Sequence, residues 1–249
     1  MDVSVYHYDA VDSTNTQCRR LAAEGVVNAV VTADCQTAGR GRMGRSFQSP
    51  AGKGLFFSIL WRPDCAPEEL LPLTALSAVA VCRAVQRVTG VRPQIKWPND
   101  LVLSGKKICG ILTEMSTDLD SIRYIIVGIG INVNTPDFPE DIAATATSLY
   151  LESGKSWKRS ELIAAIMKRM EQYYEIFLKT ADLSGLKEEY ESKLANLGRQ
   201  VKVLAPKQEY CGICRGITDG GELLVEREDG SISQVMSGEV SVRGIYGYV

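Results

Sequence analysis

The segment from Gln36 to Gly54 combines glycine and arginine in a way that suits the binding of an anion. It holds five glycines, three arginines, one lysine and no acidic residue, so its net charge is +4. Glycine lets backbone N–H groups approach a ligand closely and adopt positive φ. Arginine adds a planar fork of donors that matches phosphate or carboxylate oxygens. The segment predicts a binding loop for a small polyanion, with a solvated surface loop as the alternative.

Two known phosphate-binding motifs are nearly matched inside this loop. Gly39, Gly41 and Gly44 have the spacing of the dinucleotide fingerprint. The run 39–46 also differs from a P-loop by one residue, Arg45 in place of lysine. Both motifs require a helix that begins at the glycines and points its N-terminus at the phosphates. Further glycines, a proline and an apolar strand follow here instead, so neither motif is predicted to act.

A second polar group is the run Lys96-Trp-Pro-Asn-Asp100, followed closely by Lys106 and Lys107. Pro98 is expected to end a strand and to present Asn99 and Asp100 at a turn. An aspartate there is suited to hold Mg²⁺ or an organic hydroxyl, and Lys107 is suited to act as a point charge toward phosphate. A plain β-turn beside two solvated lysines is the alternative interpretation.

A third group lies at the end of an apolar run, where Gly128 and Gly130 precede Asn132. Two glycines at alternate positions clear one face of a strand for a flat ligand, and the asparagine amide offers a donor and an acceptor. A bulge, or tight packing against a helix, would explain the same glycines.

The elements that must position these groups follow from hydrophobic periodicity and turn signals. Helices are predicted over 14–24, 67–88, 159–179 and 183–195. Strands are predicted over 3–8, 26–33, 55–61, 94–97, 101–103, 107–115 and 122–131. Short strands joined by tight turns favour an antiparallel or mixed sheet. We therefore expect an α+β domain over residues 1–195.

The sequence changes character near residue 195. A helix-free run follows, with predicted strands over 201–204, 211–217, 222–226, 231–235 and 240–242. Asp219-Gly220 and Asp229-Gly230 are typical hairpin turns. About fifty residues of short strands predict a small closed β-barrel as a second domain over 196–249.

The composition is that of a soluble globular protein. The chain has 249 residues, is 45% hydrophobic and 23% charged, and carries 28 basic and 30 acidic residues. The balance of −2 does not indicate a nucleic-acid or membrane-surface protein. The longest apolar stretch, 70–82, is too short to span a bilayer. Because no signal peptide is visible, we expect a cytoplasmic location without membrane contact.

Cysteine and histidine usage argues against three other kinds of site. The seven cysteines include one C-x-x-C pair, Cys211 and Cys214, but a structural zinc site needs about four ligands. We predict free thiols throughout, with this pair as ordinary strand residues. His7 is the single histidine and belongs to no catalytic motif, so a Ser-His-Asp or Cys-His mechanism is not expected.

Taken in order, the three polar groups resemble the motifs of the biotin protein ligases. The resemblance extends over essentially the whole chain. It rests on Asp12-Ser-Thr-Asn15, Gln36-Thr-Ala-Gly-Arg-Gly-Arg42, Lys96-Trp-Pro-Asn-Asp100, Lys107 with Gly110-Ile-Leu112, and Gly128-x-Gly-Ile-Asn132. It implies an α+β fold with a mixed sheet flanked by helices, as in class II aminoacyl-tRNA synthetases, followed by a C-terminal SH3-like β-barrel.

The resemblance also implies a reaction in two steps, with ATP, Mg²⁺ and biotin as the small molecules. The biotin carboxylate attacks the α-phosphorus of ATP to form biotinyl-5′-AMP and pyrophosphate. A lysine of a biotin carboxyl carrier protein or domain then attacks this anhydride and releases AMP. Such chemistry needs orientation, stabilisation of phosphate charge and exclusion of water.

The resemblance assigns roles residue by residue. Catalytic roles fall to Arg42, Lys107 and Asp100. The implied biotin-binding residues are Ser13, Thr14, Asn15, Gln36, Gly39, Arg40, Gly41, Arg42, Lys107 and Gly110. The implied ATP- and adenylate-binding residues are Arg40, Arg42, Arg45, Phe47, Lys96, Trp97, Asn99, Lys107, Gly128, Gly130, Asn132 and Arg243. No residue is assigned to the metal.

Two positions, Phe47 and Met43, depart from the pattern of the family. Phe47 stands where relatives often carry a tryptophan that stacks on adenine, and Met43 replaces an arginine of some relatives. In the tail, Glu239 and Arg243 match residues that face the nucleotide side. We expect weaker stacking from phenylalanine and no ligand role for Met43.

Two other functions remain as alternatives. A lipoate or octanoate ligase or transferase would share the α/β architecture and an activating lysine, and a non-catalytic binding module could be built on the tail. We also expect no specific DNA binding, because the first predicted strand leaves no room for a winged-helix domain before it. A homodimer through open sheet edges is compatible with the sequence.

Overall fold

The computed structural model describes residues 3–62, 70–117, 122–204, 209–237, 241–244 and 248–249. Within these residues the chain forms two sheets and six α-helices. The larger sheet has seven strands: β1 (Ser4–Val11), β2 (Ala29–Gln36), β3 (Gly54–Trp61), β4 (Gln94–Lys96), β5 (Asp100–Leu103), β6 (Lys106–Thr117) and β7 (Ile122–Asn132).

The strand order in this sheet is β1-β2-β3-β7-β6-β5-β4. β1 and β2 run parallel, and every other neighbouring pair is antiparallel. The predicted mixed sheet is therefore confirmed. The turn between β5 and β6 is Ser104-Gly105, and both residues have positive φ (49° and 75°), as a tight hairpin turn demands.

The helices cover both faces of the larger sheet. They are α1 (Thr14–Ala23), α2 (Leu70–Thr89), α3 (Glu140–Ala143), α4 (Leu149–Ser153), α5 (Arg159–Thr180) and α6 (Lys187–Glu191). On one face, α1 packs in a small cluster with Leu60 and Ile126. On the other, α2 and α5 pack with Phe57, Ile59 and Val127 in the large core. The strand residues between these layers alternate between the two faces.

Helix α2 shows why an apolar stretch needs its structural context. Its residues 71–89 are long and apolar enough to cross a bilayer, with a mean hydropathy of 1.2, so the helix extends past the stretch seen in the sequence. However, 72% of this segment is buried inside the protein, where Leu76, Val79 and Val85 are fully covered. The helix is a core helix of a soluble fold.

The smaller sheet has five antiparallel strands in the order β11-β10-β9-β8-β12. They are β8 (Gln200–Leu204), β9 (Glu209–Ile217), β10 (Leu223–Glu226), β11 (Ile232–Val235) and β12 (Ser241–Gly244). Its alternating residues Val201, Val203, Val225 and Val242 are buried. The predicted SH3-like strand set is confirmed. The predicted closure of these strands into a barrel is not confirmed, because no pairing joins β11 to β12 among the described residues.

Several predicted boundaries were wrong. The region 183–195 contains only the five-residue helix α6 with turns on either side, although its sequence is amphipathic. The strand predicted over 26–33 begins at Ala29, because Gly25 turns the chain with a φ of 92°, and it runs on to Gln36. The start of the helix predicted over 67–88 lies outside the described residues.

The cysteines confirm the prediction for the described part of the chain. The six that the structure describes are free thiols. Cys211 is exposed and Cys214 is buried, because three positions along β9 place them on opposite faces. Burial raises the pKa of Cys18 and that of Cys82 to about 12, so neither is a reactive thiol. Cys65 lies outside the described residues.

Candidate active site

Two adjacent cavities lie on the α1 face of the larger sheet, and they share a wall. The inner cavity and the solvent at its mouth take up about 440 Å³. It is lined by Ser13, Thr14, Asn15, Gln36, Arg40, Gly41, Arg42, Phe47, Asn99, Lys107, Gly110, Ile111, Leu112, Gly128, Ile129 and Gly130. The outer cavity is lined by Gly41, Arg42, Met43, Arg45, Ser46, Phe47, Lys96, Trp97, Pro98, Asn99, Asp100, Lys107 and Val242.

The inner cavity is built around a network of neutral polar groups. The Ser58 hydroxyl donates to Asn15 Oδ1 at 2.6 Å and lies 2.7 Å from Thr14 Oγ1. The backbone N–H of Thr14 donates to Gln36 Oε1 at 2.9 Å, and Gln36 Nε2 donates to Ser49 Oγ at 2.9 Å. Because each group is held by another, the network is preorganised rather than free to rearrange.

The start of α1 differs from a simple capped helix. Ser13 occupies the N-cap position with extended backbone angles, but its side chain makes no capping hydrogen bond. Its backbone N–H instead donates to Asp12 Oδ1 at 2.8 Å. The hydroxyl therefore does not cap the helix, and Ser13 lines the wall of the inner cavity.

Asn15 is fixed from both ends of its amide. Its Nδ2 donates to Glu114 Oε2 at 2.8 Å and lies 3.3 Å from the Leu112 carbonyl oxygen. Glu114 is in turn paired with Arg19 at 2.8 Å. The amide orientation is thus set by β3 through Ser58 and by β6 through Glu114, and the asparagine is 3% exposed.

Gly128 and Gly130, which the resemblance assigned to ATP and the adenylate, line the inner cavity below this network. A Cβ at Gly128 would lie 2.1 Å from Asn15 Oδ1, and one at Gly130 would lie 2.8 Å from the Phe47 ring. Gly110, on β6, would place its Cβ 3.1 Å from Lys107 Nζ. The three glycines let α1, the loop and the lysine approach the strands closely.

Charged side chains meet at the wall between the two cavities. Lys107 Nζ lies 2.6 Å from Asp100 Oδ1 and 5.7 Å from the centroid of the Phe47 ring. Burial alone would raise the pKa of Asp100, but the Lys107 charge and hydrogen bonds from Lys107 and Tyr248 outweigh it. The pKa of Asp100 therefore lies below its usual value, and the carboxylate is ionised beside the lysine.

The loop reaches the smaller sheet through Arg42. A guanidinium N–H of Arg42 donates to the backbone carbonyl of Ser237, just beyond β11. Burial lowers the pKa of Arg42, the nearby charge of Arg45 adds to this, and Asp100 opposes it. Arginine remains charged under these conditions, so the loop presents a half-buried cation to both cavities.

The predicted anion loop has the expected conformation. Between Gln36 and Gly54 there is one 3₁₀ turn, Arg42–Gly44, and no α-helix, so the rejection of both phosphate-binding motifs is confirmed. Arg40 pairs across a narrow hairpin with Ser46 in an isolated β-bridge. Gly39 closes this hairpin rather than lining a cavity, since its Cβ would lie 2.4 Å from the Phe47 carbonyl oxygen.

The structure brings most of the predicted site residues together, with three exceptions. Asn132 lines neither cavity, and its amide donates to the Thr147 carbonyl oxygen at 3.0 Å. Gly39 also lines neither cavity, because it closes the hairpin of the loop. Arg243 lies on β12, and its backbone alone is described, while Glu239 lies outside the described residues.

Four residues of the site were not predicted: Ser49, Ser58, Glu114 and Tyr248. Ser58 is the one polar residue in the apolar run 54–61. A single serine in a buried strand could have indicated a polar contact with the neighbouring helix. Glu114 lies on the same strand as the Gly110-Ile-Leu112 motif, two positions after its last residue. Tyr248 carries no sequence signal, because its contact with Asp100 spans 148 positions.

The charge pattern limits where a metal ion would bind. Asp100 is the one carboxylate among the described residues that line the outer cavity. Mg²⁺ typically takes one or two carboxylates together with substrate phosphates and water. Asp100 would take this role in exchange for one of its present partners, because Lys107 and Tyr248 bind its two oxygens. His7, Asp9 and Asp34 form another group of close donors, but Asp34 is paired with Arg159 at 2.8 Å and His7 is bonded to Thr32.

The chain matches the models of two protein families. Residues 9–132 match the model of the biotin/lipoate A/B protein ligase family. Residues 197–243 match the biotin protein ligase C terminal domain. The second match separates biotin ligation from the lipoate alternative.

Similar proteins lead to the same result. The chain is 36% identical to the bifunctional ligase/repressor BirA of Bacillus spizizenii, over 97% of this chain and 75% of that protein. It is 31% identical to a biotin–[acetyl-CoA-carboxylase] ligase of Paracoccus denitrificans, over 86% of this chain and 90% of that one. The Aquifex aeolicus biotin protein ligase solved with biotin and ATP has a TM-score of 0.85 at 36% identity, over 97% and 99% of the two chains.

The chain therefore belongs to the biotin protein ligase family. It is an enzyme that uses ATP, with Mg²⁺, to activate biotin and to join it to a protein. This confirms the predicted fold class, reaction and small-molecule substrates.

Proposed function

We propose that the two cavities divide the substrates, with the biotin ring system in the inner one and the nucleotide in the outer one. The observation that carries this is the position of Lys107. It lines both cavities, as Arg42 does. The inner cavity adds the hydroxyl and amide groups of Thr14, Asn15 and Gln36, and the outer one adds the cations Arg45 and Lys96. The bond between biotin and phosphate would form at this lysine.

The inner cavity suits a neutral, flat ring that carries both donors and acceptors. The biotin ureido group has two N–H donors and one carbonyl oxygen. Thr14, Asn15 and Gln36 line this cavity and provide hydroxyl and amide groups for them. Groups that are already fixed lose little entropy when a ligand binds.

The outer cavity suits a triphosphate. Arg42, Arg45, Lys96 and Lys107 line it beside the single carboxylate of Asp100. When bound, Mg²⁺ would add charge neutralisation on the leaving pyrophosphate, with Asp100 as the side chain in reach. Phe47 borders both cavities and closes one side of the nucleotide space.

In the first step, a biotin carboxylate oxygen attacks the α-phosphorus, and the bond to pyrophosphate breaks. Lys107 would hold the carboxylate next to the phosphate and stabilise the charge that develops between them. Arg42 would bind the same junction from the loop. Orientation and charge stabilisation need no proton transfer from the enzyme.

In the second step, the ε-amine of a carrier lysine attacks the biotinyl carbonyl carbon, and AMP leaves as the amine loses a proton. Until then the mixed anhydride must be kept from water. The contact between Arg42 and the Ser237 carbonyl supports a closed loop, because it ties the loop to the smaller sheet.

Biotin-dependent exchange of pyrophosphate into ATP tests this function. The purified chain should exchange labelled pyrophosphate with biotin present and should not do so with lipoate or without an acid. Exchange driven by lipoate, or the absence of biotin-dependent exchange, would contradict the proposal.

We propose a biotin carboxyl carrier protein or domain as the protein substrate. The chemistry requires a lysine on an exposed turn, because its amine must reach the buried carbonyl at Lys107. A carrier domain should accept one biotin, and the same domain with that lysine changed to arginine should accept none. Equal labelling of both domains would argue against a specific acceptor.

We propose that residues 1–195 form the catalytic domain and that residues 196–249 form a domain that buttresses it. Trp97 supports this arrangement, since its indole N–H donates to the Gly221 carbonyl oxygen at 2.9 Å. The backbone N–H of Ile217 also donates to Glu191 at 2.9 Å. Limited proteolysis should therefore not release an active 1–195 fragment.

We also propose that the enzyme works in the cytoplasm without specific DNA binding. Free thiols at all six described cysteines support a reducing compartment. The near-neutral charge balance supports the absence of a DNA-binding surface. A salt-sensitive, sequence-specific gel shift with this chain would contradict the second part.

An outer strand of the larger sheet offers a route to a homodimer. β1 is one end, and its exposed edge could pair with a second copy. The edge of β4, at the other end, already bonds to residues 193–195. Sedimentation of the chain with biotin and ATP should show whether a dimer forms as the adenylate accumulates.

A further inference from the structure

Tyr248 links the smaller part of the chain to the charged wall of the active site. Its phenolic hydroxyl donates a hydrogen bond to Oδ2 of Asp100. Its ring lies against Lys96, with Nζ 4.0 Å from the ring centroid. One side chain therefore contacts two of the charged groups that line the outer cavity.

Asp100 is held by a different partner at each carboxylate oxygen. Lys107 Nζ lies 2.6 Å from Oδ1, and Tyr248 binds Oδ2. A carboxylate on a short side chain rotates readily about its last bond, and two partners on opposite oxygens fix its plane. The side chain is 13% exposed, so water can compete with these partners only to a small extent.

Fixing the plane of Asp100 also fixes the lysine. Lys107 has a long, flexible side chain whose position depends on the partner of its ammonium group. If Asp100 rotated, Oδ1 would move away from the wall between the cavities, and Nζ would follow it. The hydroxyl of Tyr248 is the group that opposes this rotation.

We propose that Tyr248 is a positioning residue for the ligase reaction. Its hydroxyl holds Asp100 in the orientation that keeps Lys107 at the junction of the two cavities, while its ring retains Lys96 at the outer wall. The inference rests on the proposed function of Lys107, because it concerns the same site. Tyr248 acts through Asp100 and does not touch the reacting atoms.

Tyr248→Phe tests the hydroxyl while keeping the ring on Lys96. We expect kcat for biotin-dependent pyrophosphate exchange to fall about tenfold, since a small misplacement of a catalytic group has an effect of this order. KM for biotin should change by much less than kcat, because the hydrogen bonds of Thr14, Asn15 and Gln36 in the inner cavity are unaltered. Tyr210→Phe is the matched control: it removes a tyrosine hydroxyl from β9, where the Tyr210 ring contacts Arg227, and should leave kcat unchanged.

Asp100→Asn separates positioning from a general loss of structure. If Tyr248 acts through Asp100, adding Tyr248→Phe to Asp100→Asn should change kcat by less than about twofold. Equal losses in both backgrounds would overturn the proposal, and so would a normal kcat for Tyr248→Phe. Tyr248→Leu is the second variant, and its exchange rate should be no higher than that of Tyr248→Phe.

The outcomes also separate this inference from the proposed function. Absence of biotin-dependent exchange in the unmodified chain would contradict the function itself. Normal exchange in the unmodified chain, together with normal exchange in Tyr248→Phe and Tyr248→Leu, would overturn only the role of Tyr248.

Discussion

The inner and outer cavities share a wall but hold their side chains in different ways. In the inner one, Thr14, Asn15 and Ser58 are neutral, buried and bound to one another at 2.6–2.7 Å through the Ser58 hydroxyl. In the outer one, Lys107 and Asp100 are ions that hold each other, and Asp100 also depends on Tyr248 from a distant segment. The first arrangement suits recognition of a ligand of fixed shape. The second suits stabilisation of the charge that develops on the phosphate during the reaction.

This difference follows from where each group is attached. The inner groups stand on α1 and β3, which pack in the sheet layers, whereas Arg42 and Phe47 stand on the glycine-rich loop. Sites on regular elements are held more closely than sites on loops. Substitutions in the inner cavity should therefore affect biotin binding, and substitutions in the outer cavity should affect rate.

Gly128→Ala should have the largest effect. The new Cβ would lie 2.1 Å from Asn15 Oδ1, and Asn15 cannot retreat because Ser58 and Glu114 hold both ends of its amide. We expect biotin affinity to fall by at least about 10³, since the displaced groups lose their hydrogen bonds. Calorimetric titration measures this.

Gly130→Ala is the matched comparison on the same strand. Its Cβ would lie 2.8 Å from the ring of Phe47, which belongs to the loop and can shift. Biotin affinity should fall much less than in Gly128→Ala. Equal losses in the two variants would show that the loop is as rigid as the helix.

Lys107→Gln should slow adenylate formation by about 10²–10³, the usual cost of removing one electrostatic stabiliser. The variant leaves Asp100 without its 2.6 Å partner but does not alter the inner network. A single-turnover measurement of biotinyl-AMP formation gives the rate. A near-normal rate would remove Lys107 from the catalytic residues.

Arg42→Ala should release the adenylate faster, because the loop loses its hydrogen bond to the Ser237 carbonyl and a cation at the junction. A charge-assisted hydrogen bond contributes about 1.5–3 kcal/mol, or roughly a tenfold to hundredfold change in release. Free biotinyl-AMP can be measured by chromatography during turnover without a carrier. Arg227→Ala, far from both cavities, serves as the control.

Ser58→Ala should have the smallest effect on rate and a clear effect on stability. It leaves Asn15 Oδ1 without its 2.6 Å donor in a fully buried position. The free energy of unfolding should fall by about 1–3 kcal/mol. Urea unfolding measures the change, and an unchanged midpoint would show that water replaces the hydroxyl.

Much of the site was predictable from the sequence because its parts lie on neighbouring strands. The Ser104-Gly105 turn pairs β5 with β6 and brings Lys107 next to Asp100. The alternate glycines of β7 face α1, as their spacing indicated. Motifs within one hairpin or one strand carry their geometry in local rules.

The rest depends on packing between distant segments. The contact of Tyr248 with Asp100 joins residues 148 positions apart, and no periodicity encodes it. The helix predicted over 183–195 shortened to α6 because Tyr190 and Leu194 are buried by turns that also bond to β4. Asn132, predicted beside the nucleotide, is held by the Thr147 carbonyl instead.

The division between the cavities can be tested most directly by titrating biotin into three proteins: the unmodified chain, Gly128→Ala and Lys107→Gln. Biotin should bind Lys107→Gln within about tenfold of the unmodified affinity, since one charge contact at the carboxylate is lost. It should not bind Gly128→Ala measurably. If Gly128→Ala bound biotin as tightly as the unmodified chain, or if Lys107→Gln alone lost binding, the assignment of biotin to the inner cavity would be contradicted.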